Sequence, residues 1–343
     1  VTELFAFANL VDLASAALGG RSVFASDDFF ASVSELVQPE EPRFDPHRYT
    51  ERGKWMDGWE SRRRRGSGHD YALVELGVRG RVLGFDIDTR HFVGNHPPFA
   101  SVDGAEAPRG VSRDELSGLT FRPLLHQVPL RPGARNLFAA LPGASVSHVR
   151  LNIFPDGGVA RLRVFGEVVP LGSEPEHDDE SRRHVPAELV DLAALKNGGK
   201  VLASSDARFG AMNQLIFPGR ARTMGEGWET RRGRPPDHRH DWLVLKLAAR
   251  GTPGVVEVDT NHYRGNFPER CGLEALDAQT ESITELLATS AWTELLPPSP
   301  LRASERHFFR ETLVSVRPVT HVRLSIFPDG GISRLRIWGK PRD

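Results

Sequence analysis

Apolar and polar residues alternate with a period of two along much of the chain, and the pattern is clearest at residues 148–165. Val149, Leu151 and Ile153 alternate with His148, Arg150 and Asn152, and after Phe-Pro-Asp-Gly-Gly the alternation resumes with Ala160, Leu162 and Val164 against Arg161, Arg163 and Phe165. A period of two predicts strands, with the apolar set on the core face. The Pro, Asp and Gly between them predict a tight turn, hence a β-hairpin with Phe154 opposite Val159. In that register Arg150 lies opposite Arg163, and in a later copy Arg323 lies opposite Arg336; such like-charge pairs need an anion or a carboxylate nearby. Shorter runs at 71–76, 82–87, 242–247 and 255–258 predict further strands separated by Gly and Pro. Residues 10–14, 189–193 and 282–287 predict short helices or turns.

Four blocks recur in the same order after a shift of about 170 to 180 residues, so the chain is an internal duplication. LVDLA at 10–14 returns at 189–193, each time followed by Gly-Gly and then by a Ser-Asp step, Ser26-Asp27 and Ser205-Asp206. GWESRR at 58–63 returns as GWETRR at 227–232, and each leads to a His-Asp-aromatic step. DIDTRHFVGNHP from Asp86 returns as EVDTNHYRGNFP from Glu257. The block from His148 returns from His321 with 14 of 19 positions identical. The acidic segment 172–184 separates the copies and reads as a linker, which gives a first repeat at 1–171 and a second at 185–343. Several short strands per repeat predict an all-β chain of two tandem β-sandwich or jelly-roll repeats.

Composition narrows the function classes. The 44 basic residues are balanced by 45 acidic ones, which argues against a nucleic-acid surface and assigns the arginines to local pairing or anion recognition. Cys271 is the single cysteine, so no intrachain disulfide forms and a reducing, cytoplasmic location is expected; the thiol reads as a small buried hydrophobe. The first residues lack a basic leader, and no stretch approaches the ~20 apolar residues of a membrane span. Homo-oligomerisation is compatible with the sequence.

Chemistry-bearing residues gather in the repeated blocks. Burial of Phe85 and Ile87 turns Asp86 and Asp88 outward, and burial of Val256 and Val258 does the same for Glu257 and Asp259. The run after each strand is a loop, so Asp88, His91 and Asn95, with Asp259, His262 and Asn266, are candidate acid/base and amide-binding groups. The alternative is that Asp, Thr89 and Thr260 only bond to backbone. A divalent metal is conceivable there, but the spacing is no zinc signature and soft ligands are missing, so no cofactor is expected. Arg161 and Arg334, near the Pro-Asp-Gly-Gly segment, are candidate carboxylate binders. Glu60 with Arg62, and Glu229 with Arg231, read either as self-neutralising pairs or as substrate contacts. Trp59 and Trp228 read as packing residues. Asp156 and Asp329 read as turn-stabilising residues.

The ordered, doubled set of LVDLASAALGG, KWMDGWESRRRR, DIDTRHFVGN, the FPDGG block and their second-half counterparts resembles the allantoicase family over nearly the whole chain. Residues 234–239 lengthen one loop relative to that pattern. The resemblance implies a jelly roll in each half, similar to galactose-binding-like domains. It also implies hydrolysis of allantoate to ureidoglycolate and urea in purine catabolism. Such a site needs an arginine for the carboxylate, assigned to Arg161 or Arg334, and ureido contacts, assigned to Asn95 and Asn266. It also needs proton transfer, assigned to Asp88 with His91 or to Asp259 with His262. The fold alone also permits a non-catalytic pair of sugar- or anion-binding modules, or a hydrolase of another ureido compound.

Overall fold

In the computed structural model, residues 6–111, 115–116, 118–169, 183–206, 208–233, 240–314 and 317–342 are described. The chain forms two compact units, Val1–Val169 and Pro170–Asp343. Residues 172–182 of the expected linker and the loop 234–239 lie outside the described residues.

The first unit is organised by one long strand, Asp70–Asp88. Its first half lies between Arg21–Ala25 and Val146–Phe154, followed outward by Phe99–Ala105 and Arg122–Pro129. Its second half lies between Leu137–Ala139 and Arg161–Val168, with Val11–Asp12 beyond. One strand therefore serves both layers of a jelly-roll sandwich. The second unit repeats the plan around Asp241–Asp259, with Lys200–Ser204 and Val319–Phe327 on one half and Arg306–Phe309 and Arg334–Pro341 on the other. Runs 71–76 and 82–87 are thus one strand, as are 242–247 and 255–258. The intervening Gly and Pro do not end the second of these strands, because register shifts between Lys246 and Gly251 and between Pro253 and Val255 absorb them.

The core-face reading holds: Val149, Leu151, Ile153, Ala160, Leu162 and Val164 are fully buried. The hairpin reading does not. Val146–Phe154 and Arg161–Val168 pair with opposite halves of the long strand rather than with each other, so Phe-Pro-Asp-Gly-Gly crosses between layers. Arg150 therefore does not face Arg163. It pairs with Asp103 at 2.8 Å, while Arg163 reaches Asp12 at 3.3 Å. Its repeat, Arg336, reaches Asp191, again at 3.3 Å. The LVDLA segments form the two-residue strands Val11–Asp12 and Val190–Asp191, and an α-helix forms at Ile283–Ala288. Cys271 is buried, and burial pushes its thiol up to about 12. No helix among the described residues is long and apolar enough to cross a membrane.

Candidate active site

The repeated blocks other than LVDLA, scattered in sequence, meet at one end of each sandwich. After Trp59–Glu60, Ser61 donates its backbone N–H to Gly157 O at 3.1 Å and accepts the Gly157 N–H on its hydroxyl at 3.2 Å. Gly158 N donates to Asn95 O at 2.8 Å. The second repeat makes the same bonds from Thr230 to Gly330 and from Gly331 to Asn266 O at 2.9 Å. This close approach explains the paired glycines. A Cβ at Gly158 would lie 2.0 Å from the Phe92 ring, and one at Gly331 would lie 2.0 Å from the Tyr263 ring.

The approach joins Glu60 to Asn95, whose Nδ2 donates to the carboxylate at 2.7 Å, and Glu229 to Asn266 at 2.6 Å. Burial raises the Glu60 carboxyl above its ordinary value, against the lowering effect of the Asn95 bond. The Glu-Arg self-pairing reading is replaced by partners from other blocks. Arg62 Nε donates to Asp27 at 2.7 Å and Arg231 Nε to Asp206 at 2.5 Å. The Ser-Asp step thus belongs to the site, a role its recurrence alone did not reveal. Trp59 and Trp228 are fully buried and donate their indole N–H to Asp27 O and Asp206 O. In the second repeat these loops enclose a cleft of about 510 Å³ lined by Glu229, Thr230, Arg232, Asn266, Phe209 and Asp329, among others.

Other candidates sit elsewhere. Asp86, Asp88, Glu257 and Asp259, expected to turn outward, are at most 2% exposed, because arginines from loops, and for Glu257 Arg306 of the strand Arg306–Phe309, cover them. Arg135 holds Asp86 at 2.5 Å, and Arg90 grips Asp88 through Nε at 2.9 Å while also pairing with Glu41. Arg220 holds Asp259 at 2.9 Å. Asp88 and Asp259 also accept the backbone N–H two residues on, at 2.8 Å each. These bonds fix the loop start and occupy both carboxylates.

His91 and His262 sit in left-handed backbone, at φ 73° and 71°. Their Nε2 atoms meet Pro42 O at 3.1 Å and Ala221 O at 2.9 Å, and the His91 ring stacks on Phe44. They share no hydrogen bond with the Glu-Asn pairs. Arg161 and Arg334 are 2% exposed and do not reach outward. Arg161 is held by Asp57 at 2.8 Å and by the carbonyls of Glu40 and Ala160. Arg334 is held by the carbonyls of Gly219, Glu226 and Ser333. Thr89 and Thr260 bond to backbone, but across to Arg131 O and Arg302 O, both at 2.6 Å. Asp156 and Asp329 likewise bridge outward, to Arg64 N at 2.8 Å and Gly233 N at 2.7 Å, instead of closing their own turn. Among the described residues, no three His, Cys, Asp or Glu side chains gather as metal ligands would.

The Allantoicase repeat family matches residues 11–169 and 190–342. A protein of Rhizobium meliloti named probable allantoicase is 45% identical over 97% of this chain and 94% of its own length. A probable allantoicase of Acinetobacter baumannii is 41% identical over 96% and 93%. The crystal structure of allantoicase from Saccharomyces cerevisiae superposes with a TM-score of 0.77 at 33% identity, covering 96% of this chain and 92% of that one. With both halves matched in sequence and the whole in fold, this chain belongs to the allantoicase repeat family.

Proposed function

We propose that this chain is an allantoicase of two repeats, 1–171 and 185–343, joined by the segment 172–184, that acts in the cytoplasm on allantoate. The observation that carries the reading is the near-full-length likeness to allantoicases in both repeats. Allantoate is a carboxylate whose α-carbon bears two ureido groups. Hydrolysis breaks one α-carbon to nitrogen bond, forms a bond from water oxygen to that carbon, and leaves the water proton on the departing urea. One carboxyl group that donates to the leaving nitrogen and then accepts from water balances the reaction.

Glu60 and Glu229 have the better placement for that role, each at the loop end and each held by an amide. Burial favours the protonated form of Glu60, the form that donates to the leaving nitrogen. Asn95 and Asn266 orient the carboxyl groups and offer amide contacts to the ureido groups. Asp88 with Arg90, and Asp259 with Arg220, act as positioning groups at the loop start, as do His91 and His262. Urea release from allantoate by the purified chain tests the activity, and repeating the assay with a chelator reports on a divalent ion. Binding of sugars or anions without urea release would replace this reading with that of a binding module.

A further inference from the structure

If the substrate is a carboxylate, one cationic group must meet it, and the arginines near the loop end are not equivalent. Arg62 and Arg231 are held by Asp27 and Asp206. Arg161 and Arg334 are buried and bonded to backbone carbonyls. Arg232 differs from these. It is exposed, it lines the cleft that contains Glu229 and Asn266, and it has no hydrogen bond or ion pair among the described residues.

Its backbone is nevertheless fixed on both sides, by Thr230 N donating to Gly330 O at 3.0 Å and by Gly233 N donating to the Asp329 carboxylate at 2.7 Å. Arg63 occupies the same position in the first repeat. It too is exposed and unpaired among the described residues, and it lies between Ser61, bonded to Gly157 O, and Arg64, whose N–H meets Asp156 at 2.8 Å. A free guanidinium on an anchored backbone, kept in both copies three residues after the glutamate of a Glu-Asn pair, is arranged for an anion that arrives from solution.

We propose that Arg232, and Arg63 in the first repeat, receive the substrate carboxylate. This rests on the allantoicase reading and assigns the carboxylate contact within it. The test uses the full chain with Arg63→Ala, Arg232→Ala, the double variant and the corresponding lysine variants, assayed for urea release from allantoate. The double alanine variant is expected to raise KM about ten- to hundred-fold, the scale of a charge-assisted bidentate contact, with a smaller change in kcat. Lysine should recover part of the loss, and guanidinium ion added to the alanine variant should lower KM again. A single variant that carries the whole effect supports the assignment in its own repeat. Unfolding temperatures should stay at the wild-type value, since both side chains are exposed. A double variant with wild-type KM in an active enzyme overturns the assignment while leaving the activity standing. A wild-type chain that releases no urea overturns both.

Discussion

Replacing Glu60 and Glu229 by glutamine separates chemistry from architecture. Gln keeps the side-chain oxygen that accepts the Asn95 and Asn266 amides at 2.7 and 2.6 Å, so the change converts a charge-assisted bond to a neutral one, a loss of about 1 kcal/mol. At position 60 the loss is offset, because burial already disfavours the ionised carboxyl. The sign follows from linkage. A carboxyl raised in the fold contributes stability that is fully present below the ordinary carboxylate value of about 4.3 and is lost as pH rises through the folded-state value. Glu60→Gln should therefore be as stable as wild type at neutral pH and should flatten stability against pH in that window.

Activity should respond on another scale. Loss of the proton-transferring group lowers kcat about 10²- to 10⁴-fold, or about 3 to 5 kcal/mol in the barrier. Urea release at saturating allantoate measures the first effect, and denaturant midpoints across a pH series measure the second. If the double variant E60Q/E229Q keeps wild-type kcat, the assignment of the acid/base role is wrong. The two single variants also report how the repeats share the work, since the residual rate of each comes from the other site.

Gly158→Ala and Gly331→Ala each place a methyl group 2.0 Å from an aromatic ring; a loss of about 1 to 3 kcal/mol is expected, read as a lower unfolding temperature. Asp156→Ala and Asp329→Ala remove the carboxylate that anchors Arg64 N or Gly233 N. Each should cost about 1 to 2 kcal/mol and lower kcat/KM several-fold, with D329A acting on the second cleft alone. Burial lowers the affinity of His148, His307 and His321 for protons. The unfolded chain therefore binds more protons as pH falls below about 6.5, and stability should decline from there downward. A denaturation midpoint that does not move between about pH 7.5 and about pH 5.5 would refute this, and His148→Gln with His321→Gln should reduce the slope.

The duplication and the core face were legible because both are written locally, in recurrent blocks and in the alternation of Val149, Leu151 and Ile153. The hairpin was misread because Phe-Pro-Asp-Gly-Gly carries every signal of a tight turn, whereas the strand inserted between its flanks lies far upstream in sequence. Partner choice failed for the same reason. Arg62 is near Glu60 in sequence, yet its carboxylate comes from Asp27 and that of Glu60 is met by Asn95. Outward alternation correctly separated Asp86 and Asp88 from Phe85 and Ile87, but no local pattern reports that Arg135 and Arg90 fold over them. The Ser-Asp step recurs in both copies, but only the fold shows that Asp27 and Asp206 meet Arg62 and Arg231.

The long strand of each repeat also has a temporal consequence. Asp70 pairs with Ile153 and Asp88 with Arg161, while Asp241 pairs with Ile326 and Asp259 with Arg334. During synthesis the strand leaves the ribosome after Arg21–Ala25 or Lys200–Ser204 but well before its other partners. Each sandwich can therefore close only when the last segment of its own repeat has emerged. Because the partners of Asp70–Asp88 all belong to the first repeat, its ladder can be completed while the second is still being translated. Duplication in tandem thus places two late-closing domains in series, each completed from its own end.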